Sequence, residues 1–283
     1  MRRFLRNVYD RAIRPLTPAI VDETIQMAVR LRYWPNIHSP RTFNEKIAHR
    51  KLFTNDPRFS QLSDKWRVRD YVREKIGDEY LVPLYDCVTS PWDIDLSSLP
   101  QSFVVKATHD SGTVVIVDDR DQCDWKKIGE ALAMRLATSY GASTNEYWYK
   151  DIPPRLIVEK RLTDRRFGVP LDFKFLVFHG SVKVVQVIQR HGISSQRFYD
   201  RSWNPLSVRR PRAVVAKPMQ RPRQLDRMIE IAETLGDGFD FVRVDLFAPD
   251  DERIFFGEMT FAPAAGRMPF IPRTFDWELG SYW

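Results

Sequence analysis

The sequence predicts an α+β protein of several lobes. Three observations carry this. Residues 1–95 read mostly as helices, residues 96–154 hold a strand–loop–strand–helix unit, and residues 155–283 are β-rich and close on a hairpin.

The helices come first. Val21 to Arg32 has helical character. Thr42-Phe-Asn-Glu45 reads as a capping box opening a helix to about Phe53, because a Thr hydroxyl and a Glu three residues later can satisfy each other's free backbone N–H groups. Pro57 starts a helix expected to reach about Lys75, and Leu81 to Tyr85 is a short strand. Phe103 to Lys106 and Val114 to Val117 are apolar runs of strand type around Ala-Thr-His-Asp-Ser-Gly-Thr. Asp124 can cap a helix to about Ser139. Strands follow at Arg155 to Leu162, Asp172 to Phe178 and Val182 to Gln189, with a short edge strand at Phe198 to Trp203. Pro222 begins a helix to about Leu235. Phe241 to Phe247 and Ile254 to Thr260 make the last hairpin.

Composition bounds the function. With 283 residues, 43% hydrophobic, the chain can bury a sizeable core and is not of disordered type. No apolar run of about 18 residues exists, so no transmembrane helix is expected. Met-Arg-Arg-Phe-Leu-Arg lacks the apolar segment of a signal peptide. Cys87 and Cys123 stand apart without metal spacing, so a cytoplasmic protein with reduced thiols is expected. The net charge is +7, with much of the excess between Arg197 and Arg227. That stretch is either a solvated face or a docking surface for an anionic polymer or lipid. No nucleic-acid motif accompanies it.

Four charged islands interrupt the apolar strands. Lys106 ends a strand before a loop whose small residues Ser111, Gly112 and Thr113 can turn N–H groups toward an anion. Glu159 and Lys160 point to opposite faces of their strand, whose end can offer backbone groups to an adenine edge with Leu162 against the ring. Lys174 shares a face with Asp172 and Leu176. Arg243, Asp245, Glu258 and Thr260 fall on one side of the last hairpin. Two carboxylates on neighbouring strands repel unless a cation or proton sits between them, and Mg²⁺ takes one or two carboxylates plus phosphate oxygens. Each island alone is also compatible with a hairpin rim, a snorkelling lysine or a structural ion pair. Together they suit one ligand: a nucleoside triphosphate with its metal.

In this order the motifs resemble the ATP-grasp superfamily, typified by D-alanine–D-alanine ligase, and more closely its TupA-like branch, named for teichuronopeptide biosynthesis. The resemblance runs from about Thr42-Phe-Asn-Glu-Lys46 to the hairpin, through Val-Val-Lys-Ala-Thr-His-Asp-Ser-Gly, Val-Glu-Lys-Arg-Leu, Asp-Phe-Lys-Phe, Arg-Val-Asp-Leu-Phe and Gly-Glu-Met-Thr-Phe-Ala-Pro. Two departures stand out: Thr260 where an Asn is common, and Ala-Pro-Ala-Ala-Gly266 in place of Asn-x-x-Pro-Gly.

The resemblance implies ATP held between a small α+β lobe and a larger antiparallel β-rich lobe, with a mainly helical N-terminal part. The ATP-binding set would be Lys106, Ser111, Gly112, Thr113, Glu159, Lys160, Leu162 and Lys174. Asp245, Glu258 and Thr260 would hold Mg²⁺, and Arg243 with Lys106 would be catalytic. The implied activity is a carboxylate–amine ligase working through an acyl phosphate. Its partners would be a uronic-acid-type saccharide and an amino acid in surface polysaccharide synthesis, with room for a peripheral membrane contact aided by Arg2, Arg3, Phe4 and Arg6. Phosphotransfer to a small acceptor and non-catalytic binding of an anionic glycan or membrane are the alternatives.

Overall fold

A computed structural model describes residues 16–164, 168–250 and 252–283, so Arg2, Arg3, Phe4 and Arg6 lie outside the described residues. Its helices are Ala19–Leu31 (α1), Phe43–Phe53 (α2), Arg58–Ser63 (α3), Val68–Ile76 (α4), Trp125–Leu136 (α5), Leu225–Gly236 (α6) and Thr274–Ser281 (α7). Its strands are Leu84–Val88 (β1), Phe103–Ala107 (β2), Val114–Val117 (β3), Leu156–Lys160 (β4), Asp172–Phe178 (β5), Ser181–Gln189 (β6), Ser195–Asp200 (β7), Val214–Val215 (β8), Phe241–Phe247 (β9) and Phe255–Thr260 (β10).

Local chemistry sets the helix ends. The Thr42 hydroxyl accepts the Glu45 N–H at 3.2 Å while Glu45 accepts the Thr42 N–H at 3.1 Å. The Asp124 carboxylate accepts the Lys127 N–H and opens α5. The single helix expected from Pro57 is two: the chain leaves the helix at Asp64, whose backbone is extended, and Lys65 and Trp66 form the corner between α3 and α4.

The strands build two sheets. The small one has the order β1-β4-β2-β3 and the large one β10-β9-β5-β6-β7-β8. The sheets divide the chain elsewhere than at 95 and 154. β1 precedes the first boundary, yet it pairs with β4. β4, assigned from sequence to the large lobe, lies inside the small sheet between β1 and β2. The strand expected at Phe198 to Trp203 is shifted to Ser195–Asp200, and β8 covers its outer edge.

Each sheet buries one face under a helix. In the small lobe Phe103, Val105, Leu156 and Val158 pack with Leu132 of α5. In the large lobe Phe173, Phe175, Val177, Val242 and Val244 meet Met228, Ala232 and Leu235 of α6. Burying each such side chain contributes about 1.5–3 kcal/mol. The opposite face of the large sheet carries the charged residues at one end. At the other end Phe43 of α2 packs edge-on against Phe178 and Phe241, with ring centroids 6.0 and 4.9 Å away.

A sealed knot of charge ties the N-terminal helices to the turn after β10. Arg267 donates to Glu23 through Nε at 2.9 Å and Nη2 at 2.7 Å, and the Lys51 ammonium lies 2.7 Å from the same carboxylate. The side chains of Glu23 and Lys51 are fully buried. Lys51 also donates to the carbonyls of Thr144 and Ala265, each at 2.8 Å.

Candidate active site

The large sheet lays its charged residues in a row. Across the strands, Glu258 of β10 stands opposite Asp245 of β9, Asp245 opposite Lys174 of β5, and Lys174 opposite Gln186 of β6. Thr260 and Arg243 form the next pair over. A register shift at Gly257, where a Cβ would lie 3.0 Å from the Asp245 carbonyl oxygen, places Glu258 in this row.

The row is dense with ion pairs. Arg243 donates to Asp245 through Nε at 2.6 Å and Nη2 at 2.7 Å, and Nη2 also reaches Glu258 at 2.6 Å. Lys174 donates to Asp245 and lies 3.0 Å from Asp172, which Arg190 also reaches at 3.0 Å. Burial pushes Asp245 up to about 6, against the pull of Arg243 and Lys174 and with the push of Glu258. Burial works the same way on Glu258, but Arg243, Lys174 and Lys65 outweigh it and hold that carboxyl at about 2. One acid therefore stays ionised while its neighbour keeps its proton to near neutrality, as two close carboxyls must. Burial opposes the charge on Arg243 as well, and Asp245 and Glu258 hold it above its ordinary range.

The donor set suits Mg²⁺ in kind. Glu258 keeps a third of its side chain exposed, and the buried Asp172 Oδ1 has no hydrogen-bond partner among the described residues. No group of three or more His, Cys, Asp or Glu side chains forms a cage among the described residues. Thr260, expected as a third ligand, instead donates to Glu258 at 3.1 Å and orients that carboxylate.

Across from this row stands the small sheet. Lys106 of β2 is 2.7 Å from Glu159 of β4, and Arg69 of α4 holds the other oxygen of Glu159 at 3.0 Å. Glu159 is buried and steadies Lys106, while Lys160 is exposed on the other side. The Lys160 N–H is taken by the Pro83 carbonyl at 2.8 Å, so only the chain beyond it, at Arg161 and the half-buried Leu162, is free of the ladder. The loop after β2 is closed on itself. Asp110 accepts from the Thr113 N–H at 3.3 Å and from its hydroxyl, and pairs with Arg135. Ser111 hydrogen-bonds Tyr140, and Gly112 forms the exposed tip with φ +110°. The expected outward-turned N–H of Thr113 is thus occupied within the loop.

Lys65 joins the two halves. It lies at the corner after α3, donates to the carbonyls of Ala107 (2.9 Å) and Asp110, and feels Glu258 and Lys106. Burial pushes it down, and Glu258 and Asp110 pull it back. One small cavity at Lys65 is shared with Glu258 and Asp110, and a second with Lys106 and Glu159, each about 10 Å³, room for a single water. Lys65 thus lies between Glu258 on one side and Lys106 with Glu159 on the other, while Lys174 and Asp245 line neither small cavity. Lys65 escaped the sequence reading because it falls inside an apparently continuous helix. Arg69 escaped it as one of several arginines on that helix.

A profile of the TupA-like ATP-grasp family matches residues 45–283. The chain belongs to the TupA-like ATP-grasp family. No curated protein matches this TupA-like chain. Among solved structures, the D-alanine–D-alanine ligase of Bacillus anthracis complexed with ATP aligns at 17% identity with a TM-score of 0.41, over 71% of this chain and 54% of that one. The N5-carboxyaminoimidazole synthetase of Staphylococcus aureus complexed with ADP aligns at 14% and 0.43, over 71% and 44%. The ATP-grasp ligase PsnB, complexed with a precursor variant, Mg and ADP, aligns at 12% and 0.43, over 81% and 61%. The TupA-like chain thus spans 44 to 61% of the length of these structures.

Proposed function

We propose that this TupA-like protein is an ATP- and Mg²⁺-dependent carboxylate–amine ligase. The observation that supports the reading is the row Lys174–Asp245–Glu258 with Arg243 beside it, whose Glu258 shares a small cavity with Lys65, which in turn shares one with Lys106. Structures that align with it are described as complexes with ATP, with ADP, or with Mg and ADP.

In this reading the lobes part to admit the nucleotide. Lys106, held by Glu159, and Lys174 meet its phosphates, with Ser111, Gly112 and Thr113 over them and Leu162 against the base. Asp245 and Glu258 would hold Mg²⁺, with Thr260 orienting the Glu258 carboxylate. When bound, the metal offsets phosphate charge. The substrate carboxylate takes the γ-phosphoryl group, and the acyl phosphate then meets an amine to give amide, ADP and phosphate. Arg243 stabilises the oxyanion formed at the acyl carbon. The loop at 110–113 serves as a lid that excludes water. Surface-polysaccharide synthesis is the proposed setting, with a uronic-acid-type saccharide and an amino acid as partners. No helix among the described residues is long and apolar enough to cross a membrane.

Thermal unfolding with ATP and Mg²⁺ tests the reading first. A hundredfold excess over Kd stabilises by about 2.7 kcal/mol, so a clear rise in Tm is expected. Lys106→Ala should abolish ADP formation in a protein that still melts cooperatively. Wild-type turnover in that variant, or no shift at millimolar nucleotide, rejects the assignment.

A further inference from the structure

We infer that a second cavity, next to the acidic row, seats the carboxylate partner; that this partner is a small organic acid without an ammonium group; and that Arg210 selects it. The inference rests on the ligase reading above and adds the substrate class and the residue that reads it.

The cavity measures about 250 Å³, close to the volume of eight waters, which suits one sugar acid or dicarboxylate and is too small for a nucleotide. Its floor continues the row: Lys174, Gln186 and Gln196 lie on the same sheet face as Asp245 and Glu258, and Arg243 forms the shared wall. Neighbouring strands are about 4.8 Å apart, so a molecule over Lys174 lies one strand from Asp245 and two from Glu258.

Charge decides what fits. Lys174, Arg210 and Arg243 line the cavity and no carboxylate does. Lys174 and Arg243 are engaged by Asp245. Arg210 is not so engaged: it donates to the Met268 carbonyl at 2.6 Å and stacks on Phe270, 3.7 Å from the ring centre. No residue among those described makes a salt bridge with it. Asp276 acts on it from a distance and itself accepts the Asn44 N–H at 3.0 Å. Arg210 is half-buried, Asp276 favours its charge and Arg243 opposes it. A guanidinium without a carboxylate partner gains from a bound carboxylate. An ammonium in the same cavity would find no carboxylate among the described lining residues, whereas a carboxylate would find Arg210. Gln186, which donates to Gln196, offers with its partner amide groups for hydroxyls.

The roof is held under strain. Pro263 and Ala264 close the cavity, and Ala264, Ala265 and Gly266 have φ of 52°, 53° and 67°. For alanine this left-handed conformation costs roughly 1–2 kcal/mol per residue. The Lys51 ammonium on the Ala265 carbonyl helps pin it. Strain of this kind concentrates at ligand clamps.

Calorimetric titration decides the matter. The full chain, with and without Mg²⁺ and a non-hydrolysable ATP analogue, is titrated with D-glucuronate, succinate, D-glucose and L-alanine. The two acids should bind, and glucose and alanine should bind at least about tenfold more weakly. Arg210→Ala should weaken the acids by about ten- to hundredfold, Arg210→Lys should lose less, and the nucleotide affinity should stay unchanged. If Arg210→Ala also loses the nucleotide, Gln186→Leu replaces it and should weaken D-glucuronate more than succinate. Acids that bind Arg210→Ala as they bind the wild type overturn the inference, as do equal binding of alanine or failure of both acids. Failure of the nucleotide alone would instead remove the ligase reading and leave the acid pocket standing.

Discussion

The knot at Glu23 and the row at Asp245 use the same parts and differ in what surrounds them. Each sets a lysine and an arginine against buried carboxylates. In the knot, Lys51 and Arg267 share Glu23, backbone carbonyls take the remaining donors, and nothing reaches solvent. In the row, Asp172, Asp245 and Glu258 meet Lys174, Arg190 and Arg243, Glu258 is partly exposed, and Asp172 Oδ1 has no hydrogen-bond partner among the described residues. Burial of charge therefore does not mark a site by itself. A partly exposed carboxylate beside an unpartnered carboxylate oxygen does, because the two leave a place for an external cation.

The sharpest way to break this contrast is Glu23→Ala. It strands two buried cations and should destabilise the protein by about 3–5 kcal/mol, read as a lower midpoint in urea. Glu258→Gln should do the reverse: a smaller fall in that midpoint, since Arg243 keeps Asp245 as its partner, and a loss of turnover of roughly 10²–10³-fold, read as ADP formation. Equal destabilisation in the two variants would erase the distinction.

A pH series sharpens it. Asp245 has a folded value of about 6 against an ordinary 3.8, so its contribution to stability is full below about 4 and is lost as pH rises through 6. Glu258 has a folded value of about 2 against 4.5, so its contribution is present above 4.5 and is lost as pH falls toward 2. Since the metal competes with a proton on Asp245, nucleotide binding with Mg²⁺ should strengthen from pH 5 to 7. Asp245→Asn should flatten that slope, and melting curves across the range should show the two opposite trends. The smallest effect belongs to Thr260→Val, which removes one donor to Glu258. It should cost about 0.5–1.5 kcal/mol in kcat/KM and leave the melting temperature in place.

Much of this was readable before folding. Thr42 and Glu45 announce α2, and Asp124 announces α5, because a cap is made by residues a turn apart. Period-two alternation paired Arg243 with Asp245 and Glu258 with Thr260, and the register shift at Gly257 brings the two pairs into cross-strand register. The pairing of β1 with β4 was not readable, since it depends on which edge a distant strand finds. Nor was the break at Asp64 that frees Lys65, because helical periodicity continues across it. Arg210 was lost in a run of arginines that the structure sorts one by one: Arg201 on Glu233, Arg221 on Asp226, Arg210 beside the cavity.

The sequence by itself determined the elements, the facing of the charged residues along each strand and the family, because these follow from spacing along a single chain. Only the tertiary structure decided that Glu159 steadies Lys106, that Lys65 lies between Lys106 and Glu258, and that one sheet face continues from the acid row into a cationic cavity. Those facts depend on side chains far apart in the chain meeting in a low-dielectric interior, where the energy of each charge is set by its neighbours in space.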